Sequence, residues 1–145
     1  MAAEETHYRK LERMYGTAPC NEPLDLTAEI GRGEARITLR VEPALHHAAH
    51  ALHGSYLFKL MDDSAFFACN SLELERFVLT VSFHVHLLRP VVDGTLVATA
   101  TVVQAGRAVM TAEAVVRDEQ GHEVARGSGT FARVGPPLSA ETGYR

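Results

Sequence analysis

His53, Gly54 and Ser55, with Asp62 nine residues after His53, are the positions best suited to chemistry in this chain. They open and occupy a stretch, residues 54–71, that reads as one helix. The first turn of a helix carries unpaired N–H groups and a partial positive charge. A glycine there lets a ligand approach the backbone closely, so the Gly54 N–H can serve as an oxyanion donor to a carbonyl that becomes tetrahedral. Asp62 lies more than two turns further on, among apolar residues. A carboxylate in such surroundings is costly unless it is paired or used, and burial there raises its pKa toward that of a general base. The alternative is a helix-face carboxylate paired to an arginine or open to a groove. Asp63 follows directly, and neighbours on a helix point about 100° apart. Both aspartates therefore cannot face one small site: one works and the other is paired or solvated.

A second group is the run His46, His47, His50 and His53. On a helix, His46, His50 and His53 would share a face suited to zinc. The run holds no HExxH pattern and no acidic partner, so no metal site is expected. The run is expected to be a loop with one or two imidazoles hydrogen-bonded to backbone. His84 and His86 fall on the polar face of a strand, where solvation or interface packing accounts for them. Gly127-Ser128-Gly129 sits in a strand pattern and reads as a close-packing or bulge position, not as a nucleophile elbow.

These residues need elements to hold them. Residues 4–15 form an amphipathic helix with Tyr8, Leu11 and Tyr15 on one stripe, acidic residues early, basic residues late and Gly16 as a stop. Its expected role is packing alone. Residues 25–42 read as a hairpin about Gly31-Arg32-Gly33-Glu34. The helix over 54–71 is apolar almost all round and belongs inside something. From Phe77 to Arg89 the odd positions are apolar and the even ones polar, a strand with one apolar face. Pro90 ends it. Residues 95–104, 107–117 and 122–133 are three more strands. No helix-length insertion separates these four, so an antiparallel meander is expected. The prediction is an α+β domain over residues 1–145, a long central helix wrapped by a curved antiparallel sheet. The first 20 residues carry the N-terminal helix, and residues 135–145 are expected to be a loose tail.

Composition narrows the function classes. The chain has 145 residues, 46 % of them apolar, and a formal charge of −4 from fourteen basic and eighteen acidic side chains. A mildly acidic chain lacks the footprint of a nucleic-acid binder. Cys20 and Cys69 suit neither a disulfide framework nor a zinc knuckle. No membrane span and no leader pattern is expected, which points to a cytoplasmic protein.

The stretch LHGSYLFKLMDDSAFFACNSL resembles the signature of hotdog-fold acyl-CoA thioesterases of the PaaI-like family. That signature is His-Gly-Gly opening the central helix, with an acidic residue nine positions after the His. His53, Gly54 and Asp62 match it, and Ser55 replaces the second glycine. FVLTVSFHVHLLRP resembles the family's strand with a Ser or Thr ten positions before a closing proline, here Thr80 and Pro90. EQGHEVARGSGTF resembles its last hairpin. The resemblance covers residues 45–134 and implies a hotdog fold that dimerises through its sheet, as a dimer or dimer of dimers, with sites at the interface.

It implies hydrolysis of an acyl-CoA thioester without a cofactor. Gly54 N–H would polarise the carbonyl, Asp62 would act as nucleophile or general base, and Thr80 would help place water or the carboxylate. His47, six residues before the signature His, stands where many members carry Asn or Gln that orients water. Ser55, Arg89 and Arg107, with Arg126, are candidates for substrate contacts, because guanidinium binds phosphate bidentately. An unbulged strand turns Thr80 away from its own Asp62, so Thr80 is expected to complete the site of the partner subunit. The alternatives on this fold are a hydratase or dehydratase using His53, and a non-enzymatic acyl-CoA-binding module.

Overall fold

The structure is a computed structural model that describes residues 2–145. Helix α1 spans Ala2–Thr17 and buries His7, Tyr8, Leu11, Met14 and Tyr15, the predicted stripe extended by two residues. Strands β1 (Leu26–Gly31) and β2 (Glu34–Arg40) form the expected hairpin. Helix α2 spans Gly54–Asn70, followed by β3 (Leu79–Leu87), β4 (Thr95–Ala105), β5 (Val109–Arg117) and β6 (Glu123–Ala132). All six strands form one antiparallel sheet in the order β1-β2-β4-β5-β6-β3.

The helix fits the sheet because the central strands offer it small residues. Ala98, Ala100, Ala112, Ala114 and Ala125 are buried on the inner face, and Leu57, Leu60, Met61, Ala65 and Ala68 of α2 are buried against that side. Ile37, Leu39, Leu96, Val116 and Phe131 close the flanks of this core. Each fully buried side chain of Leu, Ile or Phe size contributes about 1.5–3 kcal/mol.

The meander expectation holds for β4, β5 and β6 and fails for β3. Strand β3 pairs with β6 at the sheet edge, and β4 pairs with β2. The connection over 88–94 crosses the end of the sheet near the start of α2, where Leu52 N–H donates to Val91 O and Val41 N–H to Gly94 O. Crossing three strand spacings takes about 14 Å, and seven extended residues reach roughly 23 Å, so no helix-length insertion is required.

Nor does β3 keep one face along its length. The register slips between Thr80 and Ser82, leaving Val81 as an extra residue opposite β6. A bulge of one residue exchanges the two faces of a strand. Before it, Val78 is buried and Thr80 points toward α2; after it, Phe83 packs edge-to-face with Phe58 of α2, ring centroids 5.6 Å apart. The Phe83 ring lies over Gly127 and Gly129, where an added Cβ would collide with ring atoms. Close packing is thus what the two glycines serve.

The C-terminal segment is not loose. Phe77 N–H donates to Pro136 O and Leu138 N–H to Glu75 O, and Gly135 is buried so tightly against Phe77 that a Cβ has no room. Tyr144 packs on α1, its hydroxyl 2.7 Å from His7 Nδ1. Two prolines and few apolar residues suggest a free end, but the chain satisfies its backbone on residues 75–77.

Candidate active site

Asp62 and Thr80 meet within one chain. Thr80 Oγ1 donates to Asp62 Oδ1 at 2.9 Å. The bulge at Val81 is what turns Thr80 inward, and it overturns the expectation that Thr80 points away from its own Asp62. Asn70, fully buried at the end of α2, fixes this approach. Its amide donates to Glu73 O and Arg76 O, and its Oδ1 accepts from Val78 N–H, two residues before Thr80.

The two neighbouring aspartates have different surroundings. Asp63 accepts from Tyr15 Oη at 2.7 Å and from Lys59 Nζ at 2.8 Å. Asp62 has only Thr80. Burial holds the Asp62 carboxyl above its usual range and the Asp63 charge adds to this, while the Thr80 hydrogen bond and Lys59 pull it back. Burial and Asp63 also push the Tyr15 phenol well above its ordinary value. Asp62 therefore keeps one oxygen unengaged, with raised basicity.

A cavity of about 500 Å³ opens beside this pair. Tyr15 of α1, Phe66 and Phe67 of α2 and Phe77 form its aromatic wall. Their ring centroids lie 5.2 Å apart for Tyr15–Phe67, 4.9 Å for Phe66–Phe67 and 4.8 Å for Phe66–Phe77. Sequence reasoning gave α1 a packing role alone and missed Tyr15 and Lys59. The sole sequence signal was Tyr15 at the end of the apolar stripe of α1.

The N-terminus of α2 makes a separate locus. His53 is the N-cap, its Nδ1 accepting from Ser55 N–H at 3.0 Å, so the Gly54 N–H is the first of the helix and has no acceptor within it. A Cβ at Gly54 would meet Leu87 Cδ1 at 2.7 Å, so glycine is what lets the end of β3 lie against this turn. His47, Gly54, Leu87 and Arg89 line a shallow depression of about 260 Å³. His47 Nδ1 accepts from Ala49 N–H.

The histidine run is a loop closed by an isolated bridge between His46 and Leu52, with His50 in the left-handed region at φ 62°. His46 Nε2 lies 2.7 Å from Val92 O, so this ring is hydrogen-bonded to backbone. The Ser55 side chain lies with Tyr56 and His46 on a different surface from Asp62. Arg107 stands exposed in the β4–β5 turn and borders neither cavity. Arg126 is occupied by Glu123 at 2.8 and 3.2 Å. Of the three arginines, Arg89 alone shares a surface with Gly54.

Gly54 and Asp62 cannot act on one carbonyl within a chain. Eight residues of helix separate them by about 12 Å along the axis.

A helix wrapped by a curved antiparallel sheet, with a carboxylate over a cavity at mid-helix, defines a hotdog protein. A model of the thioesterase superfamily matches residues 49–125, more than half of the chain, and the chain belongs to that superfamily. Among solved structures, a conserved protein of Pseudomonas aeruginosa, PA5202, is 33 % identical, covering 81 % of this chain and 94 % of its own with a TM-score of 0.74. PaaI from Thermus thermophilus, a phenylacetic acid degradation protein, is 26 % identical over 81 % of this chain and 100 % of its own, TM-score 0.74. The PaaI protein of the Escherichia coli phenylacetic acid degradation operon shares the fold at a TM-score of 0.82 and 24 % identity, covering 94 % of this chain and 99 % of its own. The search of curated proteins finds no match to this chain. Superfamily membership supports thioester hydrolysis as the general activity. Among the described residues, no helix is long and apolar enough to cross a membrane.

Proposed function

We propose that this protein hydrolyses an acyl-CoA thioester in a site built from two copies of the chain. The observation that carries the reading is the Thr80–Asp62 hydrogen bond at the mouth of the aromatic cavity, about 12 Å along the helix from Gly54. Thr80 holds Oδ1 of Asp62 and leaves Oδ2 for the reaction. Asp62 either attacks the thioester carbonyl or takes a proton from the attacking water. The Gly54 N–H of the second copy stabilises the oxyanion. The C–O bond forms as the C–S bond breaks, and the thiolate of CoA leaves and takes up a proton; where Asp62 is the nucleophile, water then cleaves the mixed anhydride, releasing the acid and restoring the carboxylate. The cavity beside Asp62 receives the acyl group, and Arg89 with His47 beside Gly54 receives the CoA side.

The sheet edge supports the pairing. Strand β3 ends the sheet with its outer edge unpaired, and Leu79, Val81 and Leu87 are 42, 62 and 54 % exposed. A long apolar edge strand is a template for another chain. Strand β3 carries Thr80 near its start, beside Asp62, and ends at Leu87, beside Gly54. Antiparallel pairing of two such edges about a two-fold axis sets the start of one against the end of the other. Asp62 of one copy then approaches Gly54 of its partner, twice per dimer.

The test is a panel of aryl, short and long acyl-CoAs, with free thiol as the readout. Steady release of CoA-SH from at least one supports the reading. Binding without turnover would make the protein a sensor, and water addition to an enoyl-CoA would make it a hydratase.

A further inference from the structure

His84 and His86 lie outside the site described above. After the bulge at Val81 the odd residues of β3 face α2, with Phe83 against Phe58, so His84 and His86 stand on the outer face of the sheet. Both are exposed, with ring centroids 4.7 Å apart and Nε2 atoms 3.1 Å apart. In the metal-free pair one ring donates N–H and the other accepts.

That separation is also the bite of a chelate. Imidazole nitrogens bind zinc at about 2.0–2.1 Å, and two nitrogens 3.1 Å apart at that length subtend about 98° at the ion. The angle falls between octahedral and tetrahedral values. We propose that His84 and His86 form a bidentate surface site for a divalent transition metal of the copper, nickel and zinc class. Both rings coordinate through Nε2 as neutral imidazoles, and the proton on the donor ring moves to its Nδ1. Imidazole nitrogen favours these ions over magnesium and calcium.

The surrounding charges permit a cation. On this face His86 is opposite Arg126, whose guanidinium is neutralised by Glu123 at 2.8 Å. His84 is opposite Ser128, which is opposite Glu113 on β5. Among the described residues no third histidine, cysteine or carboxylate joins the pair, so the remaining positions are open to water. Side chains on this face stand perpendicular to the sheet, so pairing along the β3 edge leaves the site open.

The experiment uses the chain without a histidine tag. Titration calorimetry with Cu²⁺, Ni²⁺, Zn²⁺ and Mg²⁺ is expected to give one ion per chain, with copper tightest, nickel and zinc weaker, and no magnesium binding. His84→Thr and His86→Thr keep a residue suited to an exposed strand, and each is expected to weaken Ni²⁺ binding at least ~10-fold. His50→Asn, in the other histidine cluster, leaves binding unchanged. Electron paramagnetic resonance of the Cu²⁺ complex, which needs no variant, is expected to show two equatorial imidazole nitrogens. Wild-type affinity in both threonine variants, loss of binding in His50→Asn, or a copper spectrum with a single nitrogen would each overturn the proposal.

Discussion

The two ends of the chemistry lie on one helix and are built differently. The N-terminus of α2 is open: His47, Gly54 and Arg89 border a shallow depression, and backbone geometry alone positions the Gly54 N–H. Mid-helix is enclosed: Asp62 sits half-buried beside an aromatic cavity, its pKa raised, with Asp63 next to it held through Oδ2 by Tyr15 and Lys59. One locus offers an N–H dipole and the other a basic carboxylate, and a helix cannot fold back to join them. In the proposed mechanism, each locus therefore depends on a second chain.

The largest expected effect comes at Asp62. Asp62→Asn preserves size but removes nucleophile and base, so kcat falls at least ~100-fold. Its stability has a signature of its own. The folded chain holds the Asp62 proton to higher pH than the unfolded chain does. Stability of the wild type therefore falls as pH rises between the ordinary and the raised carboxyl pKa, and stays lower above it. Asp62→Asn carries no such loss, so its melting temperature relative to wild type rises through that window. A variant melting temperature that falls relative to wild type through that window would refute the burial of a charge there.

Gly54 separates backbone chemistry from crowding. Gly54→Ala and Gly54→Pro both press on Leu87, but proline alone deletes the N–H, and the first helical turn accepts its ring. Loss of an oxyanion donor costs about 3 kcal/mol of barrier, roughly 100-fold in kcat. The proline variant should fall by that much and the alanine variant far less. Equal losses would assign the effect to packing.

A smaller change follows from Thr80→Val. It removes about 1.4 kcal/mol of hydrogen bonding, roughly tenfold in rate. Because that bond lowers the Asp62 pKa, its loss raises it, and the acid limb of the pH–rate profile moves to higher pH. An unmoved limb would separate Thr80 from Asp62 in solution. Asp63→Asn is the smallest effect on rate, within about threefold, but it unpairs Lys59 and weakens the Tyr15 contact, at a stability cost of about 1–2 kcal/mol read by denaturant melting.

The helix and most strands were legible because their apolar residues repeat with clear periods. The stripe Tyr8, Leu11, Tyr15 and the alternation in β5 are of this kind. The fate of Thr80 was not. Phe77, Leu79, Val81, Phe83, Val85 and Leu87 alternate without a break, so nothing in the pattern marks the bulge at Val81. The one hint was Val78, an apolar residue at a polar parity, which the structure buries completely. The strand order was hidden for a different reason: the 88–94 crossover is short, and reach rather than composition decides where β4 lands. The cavity wall was hidden because Tyr15 and Phe77 lie far apart in sequence and meet only through tertiary packing.

The division between chains is tested most directly by mixing. Asp62→Asn and Gly54→Pro protein, each nearly inactive, are unfolded together and refolded. Random pairing makes about half of the dimers mixed, and each mixed dimer joins one intact Asp62 to one intact Gly54, restoring roughly a quarter of wild-type activity. Asp62→Asn mixed with Thr80→Val gains no such intact site, because Asp62 and Thr80 serve the same chain's half. Recovery in the first mixture and none beyond the Thr80→Val background in the second is the predicted result. No recovery in the first, with mixed dimers shown to form, would contradict the two-chain site.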